Sequence, residues 1–291
     1  MTILVTGATG NVGRLVAREL AGRGVPVRAL TRDPAKAAAA PAGFPSGVEW
    51  AVGDLARPGG LAEALAGVDR LLLFPYPDTA DEVVALAKAA GVRRIVVLSS
   101  AAVTSGYDTT FHLPVERAVE ASGLEWTFIR PGEFAVNKLE LWGPSIRSER
   151  TVYDTDPDWV GSPVHEADIG DAIATALLDD GHAGRAYTFN GPESLTVREQ
   201  VAVLARELGE EVRVQEVTPL ELRERYLAQG GFAAASADFM LGFETYDGEV
   251  VEEAEGFDLS EALVEASAEI VTGRPARTFA EWVREHAEAF R

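Results

Sequence analysis

Three glycines, with two residues between one and the next, occur in the stretch Gly7-Ala8-Thr9-Gly10-Asn11-Val12-Gly13. It lies between an apolar run, Ile3–Thr6, and a segment in which Val12, Leu15, Val16 and Leu20 recur at helical spacing. A turn of this kind holds anions. Gly7 permits a sharp reversal, Gly10 lets backbone N–H groups approach a pyrophosphate, and Gly13 lets the helix pack closely on the strand. The helix N-terminus then faces the phosphates with its partial positive charge. The Gly-x-x-Gly-x-x-Gly spacing departs from the Gly-x-Gly-x-x-Gly dinucleotide fingerprint. Gly7, Thr9, Gly10, Asn11, Val12 and Gly13 are the expected phosphate-binding residues; the plainer alternative is a glycine-rich turn that binds nothing.

A second β-rich run ends Leu30-Thr31-Arg32-Asp33, with Arg32 19 residues beyond Gly13. An acid is expected near that point, about 20 residues on, where the ribose carries a free 2′-hydroxyl. An arginine instead offers a planar guanidinium to a 2′-phosphate, so the expected cofactor is NADPH. As an alternative, Arg32 is a solvated charge and Asp33 an N-cap ahead of Pro34. In Gly53-Asp54-Leu55, after a third run, Asp54 can reach an adenine amino group beside Leu55, or simply cap a turn.

The elements that must position these residues follow from periodicity. Val25–Thr31, Val48–Val52, Arg70–Phe74, Arg94–Ser99 and Trp126–Arg130 continue the series of strands, with helices between them near 60–66, 80–90 and 114–122. Right-handed crossovers between parallel strands give a doubly wound α/β sheet of the Rossmann type. Ala35 to Ser46 is rich in Ala, Pro and Gly and reads as a short helix and a loop. Pro131 to Pro163 is punctuated by Gly and Pro and reads as pocket-forming loops. A helix at 165–178 and a strand at Ala186–Asn190 return to the sheet, and helices near 196–208, 219–228, 234–242 and 258–271 precede an amphipathic last segment. The expected division is a dinucleotide-binding domain over 1–192 and a smaller, mainly helical substrate lobe over 193–291.

Several segments together resemble the NmrA-like group of atypical short-chain dehydrogenases/reductases. They are Thr6-Gly7-Ala8-Thr9-Gly10-Asn11-Val12-Gly13, Val96-Val97-Leu98-Ser99-Ser100, Ser122 through Gly132, Val164-His165-Glu166-Ala167-Asp168-Ile169 and Gly191-Pro192-Glu193-Ser194-Leu195-Thr196. The segment Thr272 to Phe279 is similar to a closing segment of one bacterial subgroup. The resemblance implies a cofactor under residues 73–76, which includes Phe74. It also implies nicotinamide near Ser99, Ser100 and the Arg130-Pro131-Gly132-Glu133-Phe134 turn, which includes Pro131.

The chemistry departs from the wider family. Short-chain reductases usually protonate the alkoxide with a Tyr whose pKa is lowered by a Lys four positions later. No Tyr-x-x-x-Lys occurs in this sequence: Tyr107 is followed at that offset by Phe111, and Lys138 lies after the sixth strand, where it does not match. His112 is the first candidate proton donor, because imidazole changes charge near neutral pH; its alternative is to cap the helix or pair with Glu116 one turn on. Tyr107 is a candidate substrate hydrogen-bond donor or a loop-packing residue. Ser99 and Ser100 are candidates to touch substrate or ribose, or to cap the strand end.

Hydride chemistry belongs to a nicotinamide, so the protein need only orient the acceptor, exclude water and supply a proton. Quinones and conjugated ketones delocalise the developing charge and need the least acid help. The expected function is NADPH-dependent reduction of a small, largely apolar carbonyl, quinone or enone, with Phe74, Trp142, Tyr153, Trp159 and Phe232 as candidate pocket walls. One alternative is a non-catalytic NADP-binding regulator. Another is a nucleotide-sugar epimerase or dehydratase, which would need the missing tyrosine base.

A net charge of −20, from 46 acidic and 26 basic residues, repels both nucleic acid and anionic membrane. No apolar run approaches the length of a membrane span, and zero cysteines exclude disulfides and thiol nucleophiles. With no basic n-region before the first strand, a cytoplasmic location is expected, and the partner is a small-molecule substrate. His165, Glu166 and Asp168 lack His-Glu-x-x-His spacing, and the acid-rich run Glu249 to Glu255 lacks calcium-loop spacing, so no metal is expected.

Overall fold

The computed structural model describes residues 1–35, 44–245, 248–251 and 266–291. Most of the expected short helix and loop at Ala35–Ser46, most of the acid-rich run, and residues 258–265 of the expected late helix lie outside these residues. The chain divides into two compact units.

The first unit comprises Met1–Pro131, Glu166–Phe189 and Ala268–Arg274. Its centre is a seven-stranded parallel sheet. The strands β1 (Ile3–Val5), β2 (Val27–Thr31), β3 (Glu49–Val52), β4 (Arg70–Leu73), β5 (Arg94–Leu98) and β6 (Glu125–Pro131) run in the order β3-β2-β1-β4-β5-β6, and Arg185–Phe189 adds beyond β6. Every residue of β1 and β5 is buried, as a sheet covered on both faces requires. Helices Gly13–Gly22 and Glu166–Leu178 pack together on one face. On the other face, Leu4, Leu30, Leu71, Ile95 and Phe128 meet helices Ala62–Leu65, Ala80–Ala89 and His112–Ala121. Strand order reverses between β1 and β4, and the carboxyl ends of those two strands open the crevice where ligands of such sheets bind.

At the opposite edge, the Arg94 side chain is buried at the start of β5. It donates to Glu125 (2.8 Å), Asp180 (3.1 Å) and the carbonyls of Ala176 and Asp179 (3.2 and 2.6 Å). Together with Arg70, which donates to Leu178 O at 3.0 Å, it satisfies carbonyls that the end of helix Glu166–Leu178 would otherwise leave bare. Arg94→Ala should lower stability by about 3 kcal/mol, because buried acceptors lose their donor. A urea titration checks this.

The second unit comprises Gly132–His165, Asn190–Ser267 and Pro275–Arg291. It is mainly helical, with two small two-stranded sheets, Thr151–Asp154 with Arg213–Glu216 and Val160–Gly161 with Leu195–Thr196. Three of its helices begin with the same device. Thr196, Thr218 and Thr278 each accept from the amide of a Glu three residues on, and that Glu carboxylate accepts from the threonine amide. Trp142, Ile146, Val201, Leu204, Phe279, Trp282 and Phe290 form the core.

The division differs from a single cut after residue 192. Residues 131–163, expected to be loops, contain helices Asn137–Leu141 and Gly143–Glu149, and Trp142 between them and Ile146 in the second need the C-terminal helices to bury against. Pro144 lies in the first turn of its helix, where no amide partner is lost. Helix Glu269–Thr272 instead joins the first unit: it packs on helix Glu166–Leu178, and Arg274 pairs with Asp171 at 3.3 Å.

Candidate nucleotide-binding and active site

The glycine turn leaves β1 through Thr6, whose hydroxyl donates to Leu72 O (2.9 Å) and accepts from Phe74 N (2.7 Å), tying β1 to the end of β4. Gly7 has φ +60°, and its carbonyl accepts from Gly10 N at 2.9 Å. A Cβ on Gly13 would lie 2.2 Å from that carbonyl oxygen, and one on Gly10 would lie 3.2 Å from it. The turn is therefore closed too tightly for side chains at its second and third glycines. Thr9, Gly10 and Asn11 are exposed, Val12 is buried beneath them, and no acid occupies the first turn of the helix to neutralise its dipole. Phe74 approaches the Cβ position of Gly7 within 3.4 Å and is 46% exposed, giving the turn an apolar flank. This cradle fits a dinucleotide pyrophosphate.

Arg32 is exposed at the end of β2. Asp54 caps a turn by accepting from Ala56 N (3.0 Å) and pairs with Arg57 (2.9 Å). The Ala56 amide, with Arg57 and then Arg32, outweighs burial and holds its carboxyl below the usual range. Arg32 and Asp54 are thus brought together. Leu55, half-buried, accepts at its carbonyl from Thr79 Oγ1 (2.5 Å).

A second group gathers at the carboxyl ends of β5 and β6. Ser99 is 2% exposed, and its hydroxyl donates to Glu116 Oε1 at 2.5 Å. Glu116, also 2% exposed, accepts from Arg130 Nε at 2.9 Å and from Arg130 Nη2 on its other oxygen. Arg130 Nη1 reaches Thr104 Oγ1 (3.2 Å), which is in turn 2.6 Å from Thr188 Oγ1. Ser100 caps helix Ala101–Thr104 by accepting from Ala102 N, and Pro131, the last residue of β6, is buried. Tyr107 is half-buried in the loop before helix His112–Ala121.

His112 opens that helix. Its Nδ1–H donates to Asp108 Oδ2, while Asp108 Oδ1 accepts from the amides of Phe111 (3.0 Å) and His112 (2.9 Å). The expected alternative pairing of His112 with Glu116 does not form, because Ser99 and Arg130 occupy Glu116. Burial pushes the Asp108 carboxyl up, but the His112 ring and the two amides win and hold it below the ordinary range. The imidazole is thus oriented through Nδ1. From the sequence, Asp108 is not named, Glu116 is given only as an alternative partner of His112, and Arg130 is included only in the turn expected near the nicotinamide. The signals available were an acid four residues before a histidine and a carboxylate between Val115 and Val119 on an otherwise apolar helix face.

Of the aromatic wall candidates, Trp142 and Tyr153 belong to the core of the second unit, whereas Phe74, Trp159 and Phe232 are exposed. The second unit also holds an open cleft of about 320 Å³, lined in part by Tyr153, Leu222, Arg225 and Tyr226. Among the described residues no helix is long and apolar enough to cross a membrane.

Comparison with known proteins agrees with this geometry. A family model described as NAD(P)H-binding matches residues 7–180. The chain is 39% identical over 295 residues to a (4-alkanoyl-5-oxo-2,5-dihydrofuran-3-yl)methyl phosphate reductase of Streptomyces griseus, covering 99% of each chain. It is 34% identical over 298 residues to an NAD(P)H azoreductase of Xenophilus azovorans, again covering 99% of each. The crystal structure of an NADPH-dependent quinone oxidoreductase from Escherichia coli, complexed with NADPH, superposes with a TM-score of 0.75 at 26% identity, covering 98% of this chain and 99% of that one. The chain belongs to the NAD(P)H-binding family and is an NAD(P)H-dependent oxidoreductase.

Proposed function

We propose that the protein reduces a small conjugated acceptor, a quinone, an enone or an acyl lactone, using NADPH and a proton delivered by the His112–Asp108 pair. The observation that carries this reading is the anchoring of His112 Nδ1 by a buried carboxylate one turn before Glu116, on the helix that packs at the ends of β5 and β6. Bound NADPH supplies the hydride. Gly7, Gly10 and Gly13 hold its pyrophosphate, Arg32 its 2′-phosphate, and Asp54 with Leu55 its adenine end, while Phe74 and Pro131 flank the cofactor. His112 transfers its proton to the acceptor atom that becomes anionic, and Asp108 steadies the imidazole as its charge changes. Ser100 and Tyr107 are left to orient the acceptor.

The missing tyrosine–lysine pair and the relatives support this substrate class. A dihydrofuranone carrying an alkanoyl group, an azo compound and a quinone are all conjugated acceptors that spread developing negative charge. Purified protein mixed with NADPH and a panel of naphthoquinone, azo dye and acyl butenolide tests the reading. NADPH oxidation with at least one of them is expected. Calorimetric binding of NADPH without oxidation by any acceptor would favour a regulator.

The cofactor assignment has its own test. Arg32→Glu should weaken NADPH binding about 10–100-fold while changing NADH affinity less than about threefold, because a charge-assisted contact to the 2′-phosphate becomes a repulsion. Equal losses for the two nucleotides would remove the role of Arg32.

A further inference from the structure

Glu116 is a buried carboxylate with a full set of partners and no part in the hydride or proton steps above. Its Oε1 accepts from Ser99 Oγ (2.5 Å) and Arg130 Nε (2.9 Å), and its Oε2 from Arg130 Nη2. Arg130 is held in turn by Thr104. A buried ion pair of this kind gives little net stability over an apolar replacement of the same volume, so the pair is better explained by the geometry it fixes. The fork-to-carboxylate arrangement sets the side chain's plane as well as its distance.

What it fixes is the start of helix His112–Ala121. Residue 111 provides no side-chain cap, and Asp108 holds the amides of Phe111 and His112. Glu116 lies four residues after His112, so the two side chains share one helix face and neighbour each other. Asp108 grips the imidazole from the preceding loop, and Ser99 and Arg130, at the ends of β5 and β6, grip Glu116 on the same helix. The only hydroxyl proton of Ser99 is committed to Glu116, which leaves Ser99 an anchor and not an acid.

We propose that Glu116 is a positioning residue for proton delivery, clamping the first turns of the His112 helix to Ser99 on β5's end and to Arg130 on β6. This inference rests on the reading of His112 as the proton donor. A quinone that takes a hydride must also take a proton to become the hydroquinone. A cationic triarylmethane dye that takes a hydride at its central carbon becomes the neutral leuco compound with no proton required. Loosening the clamp should therefore impair the first reaction and spare the second.

The experiment compares wild type, Glu116→Gln and Ser99→Ala with a naphthoquinone and with a cationic triarylmethane dye, at saturating NADPH and in H2O and D2O. In Glu116→Gln the quinone kcat should fall about 100-fold, as expected for a catalytic group displaced by roughly 1 Å. The solvent isotope effect should rise, while KM for NADPH and the dye rate each change less than about threefold. Ser99→Ala, which removes one contact and keeps the ion pair, should move every readout in the same direction by about tenfold or less. It decides the matter if Glu116→Gln fails to fold. Equal losses with both acceptors, or unchanged quinone kcat and isotope effect, overturn the inference; if the wild type is idle with the dye, the isotope effect on quinone reduction decides. If the wild type reduces only the azo dye or the acyl butenolide, that acceptor replaces the naphthoquinone; wild-type protein that binds NADPH but is idle with all of them brings down the functional reading and this inference with it.

Discussion

Gly13→Ala should raise the dissociation constant for NADPH at least about 100-fold, a loss of about 2.7 kcal/mol. The added methyl would lie 2.2 Å from the Gly7 carbonyl oxygen, 2.7 Å from its carbon and 3.1 Å from Ala8 Cα. All three are backbone atoms, so no side chain can rotate away and the helix must move off the turn. The amides of that turn are the proposed phosphate ligands, and they move with it. Overpacking of this kind also lowers stability by about 1–3 kcal/mol, read as a lower urea midpoint at unchanged slope. Gly22, in the last turn of the same helix, is the control, because a Cβ there meets nothing within 4 Å. Gly22→Ala should bind NADPH normally and gain about 0.5–1 kcal/mol from helix propensity. Calorimetry on folded Gly13→Ala showing wild-type affinity would remove the glycine turn from the site.

The nucleotide half of the site was legible in the sequence because its physics is local. Gly7, Gly10 and Gly13 act through backbone conformation and close approach within seven residues, and strand–helix alternation places the turn at the end of β1. The parallel sheet was legible for the same reason: Arg94–Leu98 is buried on both faces and reads as an uninterrupted apolar run after its arginine. Two kinds of feature escaped. Helices Asn137–Leu141 and Gly143–Glu149 were taken for loops because each is shorter than two full periods of hydrophobic pattern and the second begins Gly-Pro. The polar group around His112 escaped because its contacts join separate elements. Ser99 and Glu116 are 17 residues apart, Glu116 and Arg130 are 14 apart, and which acid meets which base depends on helix rotation against the sheet. The pairing of His112 with Asp108 rather than Glu116 is a choice between two neighbours at the same spacing of four. Arg130 and Ser99 take up the Glu116 carboxylate, and Asp108 is the partner that His112 meets.

His112→Gln should lower kcat for conjugated carbonyl acceptors about 100–1,000-fold, the usual worth of a placed general acid, with NADPH affinity unchanged. Glutamine keeps a polar side chain of similar reach at the helix start, so the fold is not expected to suffer, but it has no proton to give at neutral pH. Asp108→Asn separates orientation from acidity. Its Oδ1 can still accept from the amides of Phe111 and His112, so the helix cap survives. The amide group facing Nδ1, however, donates where the carboxylate accepted, and it no longer stabilises a charged imidazole. A fall of about 10–100-fold in kcat is expected, smaller than for His112→Gln because the ring itself remains. The same substitution has a stability signature whose sign is fixed. The Asp108 carboxyl sits below its ordinary value in the fold, so its contribution is fully present above the unfolded carboxylate pKa and is lost as pH falls through the depressed folded value. Asp108→Asn should therefore be less stable than wild type at neutral pH, with the gap closing in acid. A gap that instead widens on acidification would show that burial, not the His112 pairing, governs this carboxylate. The imidazole would then lack the ionised partner that its role as proton donor requires.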